Sequence, residues 1–329
     1  MKKLGCMLMA VLMAVAVSGC SDKKEASENK ETEKKVTLIL DYLPNTNHTG
    51  FYVAKEKGFF KEEGLDVDII EPGDDSTSAT LVAANKGEFG VSYQEDVTYA
   101  RTAEEPLPIR AIATIIQHNT SGFVSLKKEN IKSPKDFEGK VYAGWQAPSE
   151  EAVVMTAAKA DFSKLTMVGA DGSGFASLGK SVDIQWEFEG WAVTKGRMEG
   201  YDLKYIPLRE LDERLDYYTP VIITSEKMIK EDPETVQKFM NAVKKGYEYA
   251  IENPDATAEI LSKYAPDYDL KFLKESQKYL SSEYARDADS WGVMKDSVWD
   301  NYTAFMYENK LITEKIKADE QYTNEFVTK

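Results

Sequence analysis

The chain has 329 residues, of which 42% are hydrophobic, 11% aromatic and 29% charged, and its formal net charge is −15. A balance this acidic repels nucleic-acid phosphates and anionic lipid headgroups, so nucleic acid is excluded as a partner. Its cysteines are Cys6 and Cys20 and its histidines His48 and His118; with no H-x-x-x-H spacing and no cysteine cluster, no metal site is expected.

Residues 1–20 differ in kind from the rest. Lys2 and Lys3 precede an apolar run over Met7–Val17, shorter than the ~20 residues that span a bilayer and typical of a signal peptide. It ends in Val17-Ser18-Gly19-Cys20, which is similar to a bacterial lipobox and makes Cys20 the expected site of lipidation; an ordinary signal with an incidental cysteine is the alternative. Cys6 would leave with the signal, so the mature chain is expected to carry no free thiol or disulfide. Residues 21–35 hold ten charged side chains and no aromatic or branched aliphatic one. That composition cannot order itself and reads as a tether to the membrane.

From Val36 short apolar segments alternate with amphipathic ones. Strands are expected at Val36–Leu40, Val67–Glu71, Gly90–Ser92 and Ile109–Ile116, with helices over Gly50–Glu63, Ser76–Lys86 and Asp96–Ala103. Alternation of this kind gives a parallel or mixed sheet covered by helices. A second unit starts near Asn119, with strands at Gly122–Leu126, Lys140–Gly144, Leu165–Val168 and Leu203–Pro207 and a helix over Ser149–Lys159. Gly179–Glu187 reads as another helix-to-strand passage, and Pro220–Thr224 restores an apolar strand.

The clearest helix follows. Asp232 is an N-cap with Pro233 at the first helical position, and Val236, Phe239, Met240, Val243, Tyr247 and Ala250 lie on one face until Asn253-Pro254. Residues 255–329 are helical in pattern and are expected to pack back on the first unit. The fold class is α/β: one lobe from 36–118 and 219–329, another from 119–218, two crossovers near 118 and 219, and a cleft that closes by hinge motion. In Asp74-Asp75-Ser76 an N-cap for the next helix is preferred over a calcium loop.

The segment LDYLPNTNHTGFYVAKEKGFFKEEGLDVDI, from Leu40, resembles the opening of the periplasmic-binding-protein-like family of thiamine-pyrimidine biosynthesis and uptake. EKMIKEDPETVQKFMNA, from Glu226, is similar to a segment common in importer binding proteins. The resemblance covers roughly residues 36–315 and is strongest to the branch of lipid-anchored binding proteins. It implies an extracytoplasmic monomer that captures an aminopyrimidine, N-formyl-4-amino-5-aminomethyl-2-methylpyrimidine or hydroxymethylpyrimidine, and delivers it to an ABC permease with its ATPase. The alternatives are another flat or polar ligand, such as riboflavin, a sulfonate or nitrate, or a pyrimidine synthase. The family's synthase keeps a lysine and a histidine where this chain aligns Ser92 and Asp96, so no enzyme activity, catalytic residue or cofactor is expected.

An aminopyrimidine needs aromatic surface against its ring and a carboxylate at its amidine-like edge. Asp41 and Tyr42 lie at a strand's carboxyl end, where α/β proteins bind ligands. The resemblance implies Asn45 and His48 as hydrogen-bond partners; capping of the helix start is the other role open to His48. Glu187, Glu189 and Trp191 lie in a run with two tryptophans and two carboxylates. The resemblance makes Glu189 the candidate for the amidine edge, against a surface strand with solvated glutamates. Trp145 is a wall of the cleft or a packing residue, and Tyr93 and Gln94 are floor or turn residues.

Overall fold

The structure is a computed structural model that describes residues 33–73, 76–158, 161–170 and 174–328. The signal peptide over 1–20 with Cys20, residues 21–32 of the tether, and Asp74-Asp75 lie outside the described residues.

Two five-stranded sheets organise the chain. The first contains β1 (Lys34–Ile39), β2 (Leu65–Ile70), β3 (Phe89–Ser92), β4 (Ile109–Thr114) and β10 (Val221–Ser225), in the order β2-β1-β3-β10-β4. The second contains β5 (Ser121–Leu126), β6 (Val141–Gly144), β7 (Thr166–Gly169), β8 (Ile184–Phe188) and β9 (Leu203–Pro207), in the order β7-β6-β8-β5-β9. Both follow one plan. Three neighbouring strands are parallel, and the fourth runs antiparallel to both of its neighbours. That odd strand is in each case the one that arrives from the other sheet: β5 after the crossover at 115–120, β10 after the crossover at 208–220.

β1 starts at Lys34, two residues before the expected Val36, because Lys34 and Lys35 already pair with Leu65 and Asp66. The helix expected over 50–63 breaks at Gly58, whose φ of 78° is a left-handed conformation that glycine adopts without penalty. Thr77, rather than the preceding Asp-Asp-Ser run, caps the helix Ser78–Ala83 by accepting the Thr80 N–H. Helix Pro233–Glu252 forms as read, with Asp232 capping it and its apolar face buried. Gly246 sets how closely that helix approaches Thr49–Glu56: a Cβ there would lie 2.1 Å from the Gly50 carbonyl oxygen.

The C-terminal helices divide their allegiance. Leu270–Glu283 packs into the first lobe's core through Phe272, Leu273 and Leu280. Helix Asp296–Glu308 does not pack on the first lobe alone as expected. Its Trp299 joins the core under the first sheet, whereas Tyr302, Phe305 and Met306 join the core of the second. The reason is periodicity: Trp299 and Tyr302 sit about a turn apart on a helix that lies across the junction. Among the described residues no helix is long and apolar enough to cross a membrane.

Candidate functional site

Between the sheets lies a cleft of about 420 Å³. Its lobe-one wall begins where β1 ends. Asn45 turns the chain, accepting the Asn47 N–H at 2.9 Å through its side-chain oxygen, and His48 Nδ1 accepts the Asn45 N–H at 3.3 Å. That bond leaves Nε2 protonated, and Nε2–H donates to Asp41 Oδ1 at 2.6 Å. The other Asp41 oxygen accepts the Tyr93 hydroxyl at 2.7 Å. Burial alone would raise the Asp41 carboxyl, but His48, Tyr93 and its own backbone bond together hold it below its ordinary value. Both of its oxygens are therefore committed.

Helix Gln94–Thr102 follows β3 and brings Glu95 and Asp96 to the same wall. Glu95 accepts the Ser149 hydroxyl at 3.1 Å and the Tyr302 hydroxyl, bonds that reach from the second lobe and from the shared helix. Burial nevertheless raises its carboxyl above the ordinary range. Asp96 is pushed up to about 6 by burial and by Glu95 beside it, and among the described residues accepts only the Ser92 hydroxyl, at 3.5 Å.

The opposite wall is aromatic. Trp145 follows β6 with its ring 55% exposed at the mouth, and its Nε1–H donates to the Trp186 carbonyl at 3.0 Å. Glu150 shapes that corner, accepting the Trp145 N–H at 2.6 Å from a position that is 1% exposed. Phe188 and Tyr217 complete the surface, Tyr217 stacking on Tyr302 at 4.1 Å. Glu187 projects from β8 into the cleft with no hydrogen-bond or ionic partner among the described residues, and burial pushes its carboxyl up to about 7. Among the described residues no lysine, arginine or histidine lines the cavity.

Of the residues expected in the site, Asp41, Tyr42, Asn45, Tyr93, Trp145, Glu187 and Trp191 line the cleft, and His48, Gln94 and Glu189 do not. His48 is fully buried behind Asp41 and orients it. Gln94 points into the protein, accepting the Tyr218 N–H at 2.9 Å and donating to the Val298 carbonyl at 3.2 Å. Glu189 is displaced because β8 ends at Phe188 and a π-helical turn over Glu189–Val193 begins there, which breaks the alternation that would have placed it beside Glu187. It instead pairs with Arg197 at 3.1 Å and accepts the Tyr279 hydroxyl at 3.2 Å. Trp191 divides its surface between the cleft and an edge-on contact with Tyr268 and Phe272, at 4.9 and 4.7 Å. Ser276 also donates to the Gly190 carbonyl there, joining the lobes. Sequence reading missed Glu95, Glu150, Trp186, Phe188 and Tyr217 as lining residues, and met Asp96 only as a place where relatives differ. Glu95, Asp96 and Glu150 all occupy first helical turns, where a carboxylate has an ordinary dipole role that hides any other.

Residues 45–257 match the family model described as "NMT1/THI5 like". The chain belongs to that family. Among NMT1/THI5-like relatives it is 25% identical to the formylaminopyrimidine-binding protein of Halalkalibacterium halodurans, over 96% of this chain and 98% of that one. It is 21% identical to the 4-amino-5-hydroxymethyl-2-methylpyrimidine phosphate synthase of Legionella pneumophila, over 90% and 93%. The periplasmic aliphatic sulphonate binding protein SsuA of Escherichia coli superposes with a TM-score of 0.69 at 10% identity, covering 88% of this chain and 91% of that one. The fold is thus the two-lobed one of periplasmic binding proteins.

Proposed function

We propose that this NMT1/THI5-like protein is the extracytoplasmic substrate-binding component of an ABC importer, held to the membrane through a lipidated Cys20. It captures an aminopyrimidine precursor of thiamine, N-formylated or hydroxymethylated, and hands it to a permease without breaking a bond. One observation carries the reading: Glu187, a half-buried carboxyl without a partner among the described residues, stands in an aromatic cleft whose described lining contains no basic side chain. A flat ring with an amine beside a ring nitrogen satisfies both features, stacking on Trp145 or Tyr42 and closing a two-point bond with Glu187. Sulfonate and nitrate lack the donors such a carboxyl needs and would meet only negative charge. A synthase role is not assigned, since Ser92 and Asp96 stand where the resemblance places a synthase's lysine and histidine.

The test is a thermal-shift screen of the mature protein against hydroxymethylpyrimidine, its N-formyl aminomethyl analogue, thiamine, riboflavin and taurine. A true ligand at a hundred times its dissociation constant adds roughly 2.7 kcal/mol of stability. Stabilisation by riboflavin or taurine, with none by the pyrimidines, would overturn the reading.

A further inference from the structure

Besides Glu187, several polar groups of the cleft lining keep hydrogen-bonding capacity among the described residues, and they differ in reach. Asp96 and Glu150 each hold back one carboxyl oxygen. The free oxygen of Glu150 is shut in against Gly144, where a Cβ would lie 2.1 Å from it. Thr120 is different. It is only 3% exposed and its hydroxyl has no partner among the described residues, yet that oxygen is not sealed in and the residue lines the cleft. A hydroxyl so enclosed costs free energy once a ligand covers it unpaired. The Thr120 backbone is pinned, its carbonyl accepting the Glu189 N–H at 2.9 Å and the Tyr205 hydroxyl at 2.6 Å. The first of these bonds carries the β5–β8 ladder one step past Ser121 and Phe188, and in the other direction Gly122 pairs with Glu187. Thr120 and Glu187 are therefore diagonal neighbours, about 7–8 Å apart in an antiparallel ladder. Thr219 has a second buried and unpaired hydroxyl on the cleft, but it stands at the far end of the crossovers, where the Ile115 N–H donates to the Pro220 carbonyl at 3.0 Å.

We propose that Thr120 determines specificity for the substituent beside the ring amine: its hydroxyl receives a neutral polar arm, hydroxymethyl or formamidomethyl, while Glu187 holds the amidine-like edge. The inference rests on the aminopyrimidine reading above and adds the residue that reads the arm. In a 4-amino-5-substituted pyrimidine the amine and the arm leave adjacent ring atoms. A ring seated on Glu187 therefore carries its arm alongside, within the short span that separates Glu187 from Thr120. A threonine hydroxyl donates one hydrogen bond and accepts others. It pairs with an alcohol in either sense, and with a formamide by donating to the carbonyl or accepting the N–H, so one group serves both ligands. Thr120 closes the first crossover, at 115–120, so the arm's bond is made to the hinge segment itself. A ring without a polar arm would bury that hydroxyl and leave it unpaired, and is disfavoured for that reason.

Calorimetry on the full mature chain with 4-amino-2,5-dimethylpyrimidine, the hydroxymethyl compound and the N-formyl aminomethyl compound tests this. The wild type should bind both armed compounds about tenfold or more tighter than the dimethyl one, as expected when a buried hydroxyl gains its partner. Thr120→Val fills the same space without the hydroxyl, and should shrink that preference to less than about threefold while the dimethyl compound binds as it does to wild type. Thr120→Ser keeps the hydroxyl and should keep the preference. A merely structural role for Thr120 would instead weaken all three compounds alike, which overturns the proposal. A wild type indifferent to the arm, or an unchanged preference in Thr120→Val, also overturns it, and leaves the aminopyrimidine reading standing. If the valine variant does not fold, Thr120→Ala removes the same hydroxyl and is judged by the same ratio. If no pyrimidine binds the wild type, the aminopyrimidine reading falls and this proposal falls with it.

Discussion

Replacing Glu187 by glutamine should make the empty protein more stable and the binding protein worse. Burial raises this carboxyl from 4.5 to about 7 and nothing compensates it. The direction follows from the sign of that change. A carboxyl raised in the folded state binds its proton more tightly there than in the unfolded chain, so folding is progressively penalised as pH climbs from 4.5 to about 7. Above that the full penalty holds, and the difference converts to about 3 kcal/mol. Glutamine fills the same space without the charge. Urea unfolding of the ligand-free protein at pH 8 should therefore show Glu187→Gln more stable by up to about 3 kcal/mol, with the gain nearly gone at pH 4.5. Pyrimidine affinity should fall by on the order of 1.5–3 kcal/mol, the worth of a hydrogen bond to a charged group. A variant less stable than wild type at pH 8, or one whose gain is the same at both pH values, would refute the argument that Glu187 is held unsatisfied for the ligand.

Glu189→Ala should leave ligand affinity within about threefold and cost under about 1 kcal/mol of stability, since it removes a half-exposed pair with Arg197 outside the cleft; titration calorimetry and urea unfolding would show both. Asp41→Asn should destabilise at neutral pH, because the wild-type carboxyl is depressed and contributes stability above its unfolded value of 3.8. The difference between variant and wild type should fade as pH falls through and below that value, which an acid-unfolding series would follow. Gly246→Ala should cost more than about 2 kcal/mol, as its methyl group would meet the Gly50 carbonyl at 2.1 Å and backbone cannot step aside. Circular dichroism melts of Gly246→Ala against Ala242→Gly would separate this overpacking from ordinary helix propensity.

Much of the architecture was legible in the residues. Near-continuous apolar runs such as Ile109–Thr114 and Val221–Ser225 are largely buried on both faces, and the helix after Asp232 carried its cap, its proline and its stripe in plain order. The site was legible in part. Tyr42 and Trp145 stood out because bulky aromatics beside polar turns have few other uses. The resemblance favoured Glu189 over Glu187, whereas Glu187 is the one that lines the cleft, because β8 gives way to a π-helical turn at Glu189 and nothing in the local sequence marks that change. His48 and Gln94 are polar residues adjacent to the cleft in sequence and buried behind it in space. Proximity along the chain does not say which side of the wall a side chain faces. The split of Asp296–Glu308 between two cores has no local signal, because an apolar stripe does not name the surface that will cover it.

That shared helix bears on how the cleft can open. Two chain crossings alone would let one lobe swing about the line through 118 and 219. A third attachment, rooted in one core at Trp299 and in the other at Tyr302, removes most of the remaining freedom, as a third hinge pin does for a door. The axis must pass close to residues 299–302, or one of the two rings must leave its core. Tyr302 also donates to Glu95 in the cleft wall, so the pivot and the ligand's surroundings share a hydrogen bond. A ligand that shifts Glu95 therefore acts beside the pivot, where a small displacement corresponds to a large change in angle.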